Sequence, residues 1–179
     1  MQLSAVLGKL IPLPRVDGAK NAIRDAWDFL CNLPGGRVLF SRIVGRMAPY
    51  TGTIGASVIE LRPGHARVVM ADRRQVRNHL QCVHAIALAN LAEMTGNLAL
   101  AYSLPDDARF IVTGMDIEYS KKARGPITAF ADSPIPATAV RAEYPIRISL
   151  RDASGEEVSR VVLRSLVGPK QARDPSSLN

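Results

Sequence analysis

The chain has 179 residues, enough to bury a sizeable core, and its 47% hydrophobic content argues against wholesale disorder. Two cysteines, Cys31 and Cys82, are too few for a disulfide framework or a metal cluster. The longest apolar stretch, about residues 83–104, is broken by Asn90, Glu93 and Asn97, which excludes a membrane-spanning helix.

The start of the chain fails as a secretory signal. Its apolar run Leu10-Ile11-Pro12-Leu13-Pro14 is short and broken by proline, so a cytoplasmic protein is expected. The formal net charge is +7, with eight arginines between Arg37 and Arg77 against only Glu60 and Asp72. A second basic cluster is Lys121, Lys122 and Arg124. Such a surface suits nucleic acid, anionic lipid or a phosphate-bearing ligand, and equally plain solubilising charge. Aromatic residues make up 5% of the chain and none interleave with the basic runs, so no base-stacking platform and no nucleic-acid partner are expected.

In chain order, residues 1–17 read as an apolar-basic arm. Asp17 or Gly18 can start a helix whose apolar positions Ala22, Ile23, Ala26, Trp27 and Leu30 recur at helical spacing until Pro34-Gly35-Gly36 stops it. A second amphipathic helix carries Val38, Leu39, Ile43, Val44 and Met47 and ends at Pro49. These helices form an extension over residues 1–50. From Thr53 the period changes to that of strands: 53–61 and 65–71 are β-branched runs joined at Arg62-Pro63-Gly64, a hairpin turn. After the basic loop 73–77 comes the longest helix former of the chain, from Val83 to about Tyr102, rich in Ala, Leu and Met and apolar on most of its surface. Four further strands follow at 110–119, 127–132, 146–151 and 158–167, with turns at 123–126 and 152–155. A frayed tail is expected over 169–179.

Two strands, one long helix and four strands make an α+β layout, an antiparallel β-sheet wrapped around one central helix. Within it Asn78 precedes His84 by six residues, and Glu93 follows His84 by nine. The run Asp116-Ile117-Glu118-Tyr119-Ser120-Lys121-Lys122-Ala123-Arg124-Gly125 supplies a second motif. Over about residues 53–167 the chain resembles the hotdog fold, specifically the PaaI-like thioesterase branch, with its N-x-x-G-x-x-H-G-G pattern and an acid nine residues after the histidine. It looks closest to an uncharacterised branch of that superfamily. Gln81 stands at the first glycine of that pattern, Ala85 and Ile86 at the glycine pair, and Val112 where many members carry Ser or Thr.

The resemblance implies acyl-CoA thioester hydrolysis. Glu93 is the expected general base or nucleophile, and His84 orients the carbonyl or bonds the sulfur. Asn78 holds the water or shapes its loop. A helix start offers free N–H groups and a positive dipole end to a developing oxyanion, so the amides near Ala85 and Ile86 are the expected oxyanion donors. Lys121, Lys122 and Arg124 are expected on the phosphates of coenzyme A, which enters as part of the substrate; no other cofactor and no metal are expected. Each residue also has a plain structural reading: Asn78 as a turn former, His84 as a satisfied histidine, and Glu93 with Asn90 and Asn97 as a polar stripe on one helix face. A non-catalytic module binding acyl thioesters or lipid is the alternative, favoured by the side chains at the glycine positions.

Nine helical residues put His84 and Glu93 about 13 Å apart along the axis and on opposite faces. They cannot meet within one chain, but can meet across a two-fold axis. The resemblance implies that pairing, in a homodimer or a dimer of dimers. Gly96 is read as a place where another backbone or a ligand comes close.

Overall fold

The computed structural model of the chain describes residues 20–170. The expected arm 1–17, the helix start at Asp17 or Gly18 and the last nine residues of the expected tail lie outside the described residues. The first described helix, α1 (Ala22–Leu30), is capped instead by Asn21, whose Oδ1 accepts the Arg24 N–H at 3.0 Å. The same side chain donates through Nδ2 to the carbonyls of Ala101 at 2.7 Å and Leu104 at 3.0 Å. One asparagine thus starts α1 and satisfies carbonyls left over at the end of the long helix.

The link to α2 (Gly36–Met47) is as tight as its glycines permit. Gly35 has φ 73°, and a Cβ on Gly36 would lie 1.8 Å from the Leu30 carbonyl oxygen. Trp27 and Phe40 then meet edge to face at 5.1 Å, and with Leu30, Ile43 and Val44 they join the main buried cluster.

The strand expected from Thr53 begins later. Pro49–Gly52 forms a short helix, α3, and Gly55 at φ 56° turns the chain before β1 (Ser57–Arg62). β1 and β2 (His65–Met70) form the expected hairpin, with Gly64 at φ 71°. A 3₁₀ turn (Arg74–Val76) leads to the long helix, α4 (Ala85–Ser103). The remaining strands are β3 (Ala108–Tyr119), β4 (Ile127–Asp132), β5 (Ala142–Arg151) and β6 (Glu157–Pro169). β6 therefore runs two residues past the expected strand end, and the Lys170 N–H donates to the Asp107 carbonyl at 2.7 Å.

All six strands are antiparallel in the order β1-β2-β4-β5-β6-β3. The segment between β3 and β4 thus crosses from one sheet edge to the middle, passing the start of α4. β3 pairs with β6 alone, which leaves one side of a twelve-residue strand without a partner among the described residues.

α4 lies along the concave face. Ala92, Thr95 and Ala99, on its sheet side, are fully buried, and a Cβ on Gly96 would sit 3.0 Å from Leu163 and 3.2 Å from Ile148. The closeness expected at Gly96 is therefore to the chain's own sheet. No helix among the described residues is long and apolar enough to cross a membrane.

Candidate active site at the start of the long helix

The loop before α4 is built by Asn78. Its Oδ1 accepts the N–H of Leu80 at 2.9 Å and of Cys82 at 3.2 Å, and its own N–H donates to the Cys82 carbonyl at 2.8 Å. These bonds force Gln81 into the left-handed region, φ 56°, the one non-glycine residue there among those described. The backbone that favours glycine is kept although the residue is not glycine, at a cost of roughly 1 kcal/mol. Asn78 is thus a turn former in this chain, with its Nδ2 left over for other work.

His84 caps the helix. Its Nδ1 accepts the Ile86 N–H at 3.0 Å, which places the proton of a neutral ring on Nε2. Its carbonyl takes the amides of Ala87 at 2.9 Å and Leu88 at 3.1 Å. Of the two amides expected as oxyanion donors, the one on Ile86 is therefore occupied by the imidazole. The Ala85 amide remains without a partner among the described residues. The exposed His84 ring and Ala85 stand side by side at the positive end of α4.

Two clefts flank this point. One, of about 270 Å³, is lined by Asn78, Ala85, Leu88, Tyr119, Lys121 and Lys122, among others. The Tyr119 hydroxyl donates to the Ala85 carbonyl at 3.2 Å and its pKa is raised by desolvation. The other, of about 430 Å³, holds His84, Ile86, Tyr50, Gln75, Arg77 and Asn90. Asn90 is 5% exposed and donates to the Tyr50 carbonyl at 3.3 Å, while its Oδ1 is buried without a partner. A larger hollow of about 710 Å³ lies beside α2 and α3, reaches α4 at Met94 and carries none of the expected residues.

Glu93 lines none of these. It is half-buried on the side of α4 turned away from the sheet, in a stripe with Ile86 and Asn97, and makes no hydrogen bond or ion pair among the described residues. Ile86 is 54% exposed although apolar, and Met115 and Tyr119 on the helix side of β3 are also uncovered. The chain thus brings Asn78, Ala85, His84 and the basic loop together and leaves Glu93 apart.

The basic cluster divides. Lys121 is held by the carboxylates of Asp152, at 2.7 Å, and Glu156, which raise its pKa in that order. It is committed to the β5–β6 turn, contrary to its expected place on a phosphate. Lys122 and Arg124 are exposed and make no hydrogen bond or ion pair among the described residues. Val112 packs toward the core, whereas Thr113 sits at a β-bulge on the outer face and donates to Glu143 at 2.8 Å, so neither offers a hydroxyl to the cleft. Tyr50, Arg77 and Asn90 line the cleft that holds His84 although no sequence motif marks them; of the three only Asn90, a polar residue in a largely apolar helix, carries a visible signal in the sequence. Among the described residues no group of three or more His, Cys, Asp or Glu side chains is placed to hold a metal ion.

A sheet wrapped around one long helix, with a capped helix start opening onto a basic loop, defines a protein of the hotdog fold. The chain belongs to the family described as a domain of unknown function, DUF4442, whose profile matches residues 36–167. It is 32% identical to a structural-genomics crystal structure named APC5556, covering 83% of this chain and 97% of that one at a TM-score of 0.70. A Pseudomonas aeruginosa protein, PA5026, called a probable thioesterase, matches at 23% identity and a TM-score of 0.66 over 76% of this chain and 97% of its own. The Escherichia coli PaaI protein of the phenylacetic acid degradation operon shares the fold at 16% identity and a TM-score of 0.59, over 70% of this chain and 88% of that one. No curated protein matches the sequence.

Proposed function

We propose that this protein hydrolyses acyl-CoA thioesters at a site formed by two copies of the chain. The thioester carbonyl lies against the start of α4, where the Ala85 N–H and the dipole stabilise the oxyanion and His84 Nε2–H donates to the oxygen or sulfur. Glu93 of the second copy acts as general base for water or as nucleophile. Lys122 and Arg124 take the phosphates of the coenzyme. The observation that carries the reading is the unpartnered Glu93, in one helix stripe with the uncovered Ile86, in a chain whose β3 edge is also unpaired. A second copy pairing along β3 would cover these surfaces and bring a carboxylate to the opposite helix start.

The occupied Ile86 amide favours the second reading, a module that binds acyl thioesters or lipid without hydrolysing them. Thiol release from a panel of acyl-CoA esters separates the two. Wild-type turnover that falls by orders of magnitude in Glu93→Gln, with acyl-CoA binding retained, is the expected result. Equal turnover in both proteins would remove Glu93 from the chemistry, and binding without turnover in either would leave the binding module.

A further inference from the structure

The two basic loops beside the helix start are fastened together by a single carboxylate. Asp72 stands just after β2, and its Oδ1 accepts the Nε–H of Arg77 at 2.6 Å. Its Oδ2 accepts the backbone N–H of Gly125 at 2.9 Å, across 53 residues of sequence. The side chain is only 11% exposed, and the Arg77 guanidinium holds its carboxyl below the usual carboxylate range, with the Gly125 amide adding to the effect against desolvation. Gly125 has φ 73°, so the turn that presents this amide needs its glycine.

The loop before β4 is already attached at Ala123, whose carbonyl takes the Val83 N–H at 2.9 Å. Asp72 therefore adds something other than attachment. It sets where the Arg124–Gly125 end lies relative to the residue 73–77 loop. Because both of its oxygens are used and its charge is matched by Arg77, it presents little negative charge to an incoming anion. The cations around it are free: Arg74, Lys122 and Arg124 are exposed and make no ion pair among the described residues. The loops come from different parts of the chain, and one phosphate-bearing ligand can be held by both only if their spacing is fixed.

We propose that Asp72 is a positioning residue, which by tying Gly125 to Arg77 fixes the spacing of the cations on the two loops and so the affinity for the phosphate-bearing end of the thioester. This rests on the acyl-CoA reading above and adds Arg74 to the residues that meet the coenzyme. Asp72 touches neither the acyl group nor the reacting atoms.

The test compares Asp72→Asn, nearly isosteric, and Asp72→Ala with wild type, using one acyl group carried on coenzyme A and on pantetheine. Thermal unfolding identifies the variants that fold, and Asp72→Asn suffices if Asp72→Ala does not. The expected result is a KM for acyl-CoA raised about tenfold with kcat nearly unchanged, and no change for acyl-pantetheine. A merely structural role would weaken both thioesters alike, and that outcome, or no change in either, overturns the proposal. Should wild type hydrolyse neither thioester, the hydrolase reading fails and calorimetric binding of adenosine 3′,5′-bisphosphate tests the clamp alone. Weaker binding by the variants then upholds it, while equal binding, or none by wild type, overturns it.

Discussion

His84 has two jobs in this account, and one pair of substitutions separates them. Its Nδ1 accepts the Ile86 N–H at 3.0 Å and so caps α4, while the residue also lines the cleft. His84→Ala removes both functions. Losing an N-cap acceptor costs about 1 kcal/mol. For a domain of this size that lowers Tm by roughly 2–4 °C. His84→Asn removes only the imidazole, because asparagine Oδ1 is as many bonds from Cα as Nδ1 is and asparagine is among the best N-caps. Its Tm should stay within about 1 °C of wild type. Its thioester hydrolysis should nevertheless fall roughly a hundredfold, the usual loss of one oxyanion donor. Differential scanning calorimetry and thiol release read the two effects independently. The reasoning is refuted on the structural side if His84→Ala is as stable as wild type, and on the chemical side if His84→Asn keeps full activity.

Two further outcomes follow from the charges. Neutralising Lys122 and Arg124 together should weaken acyl-CoA more than acyl-pantetheine, with the gap closing at high salt, whereas Lys121→Met should mainly loosen the β5–β6 turn; KM values for the two thioesters check this, and equal losses for both would show that the pair does not meet phosphate. Because Asp72 has a lowered pKa, its tie to Gly125 contributes fully above the ordinary aspartate value and is lost as pH falls through the lower folded value. The Gly125 amide resonance should therefore titrate with a midpoint below about 3.9, and a midpoint at or above that would contradict the ion pair with Arg77.

Local chemistry carried most of the fold in the sequence. The long helix needed only its Ala and Leu content, and the hairpin turns showed in Pro63-Gly64 and Ser154-Gly155. α4 starts two residues after the expected Val83 because histidine is an unusual cap, recognisable only once its ring is seen on the Ile86 amide. β5 starts four residues before the expected position, since Pro145 reads as a strand breaker in the sequence. In the sheet β4 pairs only with residues 147–151 of β5, so Pro145 lies where that side of the strand is open. The fate of Lys121 was invisible, since its partners Asp152 and Glu156 lie some thirty residues on in another turn. The motif spacing drew Asn78, His84 and Glu93 to attention, and the geometry then assigned Asn78 to its loop and left Glu93 facing outward. What that outward face meets depends on a second chain, and no single sequence states it.

Complementation between two inactive chains tests the shared site most directly. His84→Asn and Glu93→Gln proteins, each verified as folded, are unfolded, mixed in equal amounts and refolded. Half of the resulting dimers should be mixed, and each mixed dimer rebuilds one intact site while gathering both defects in the other. Thioester hydrolysis should return to roughly a quarter of wild type if the helix start of one copy works with Glu93 of the other. Verified mixed dimers with no more activity than the two parents would contradict it.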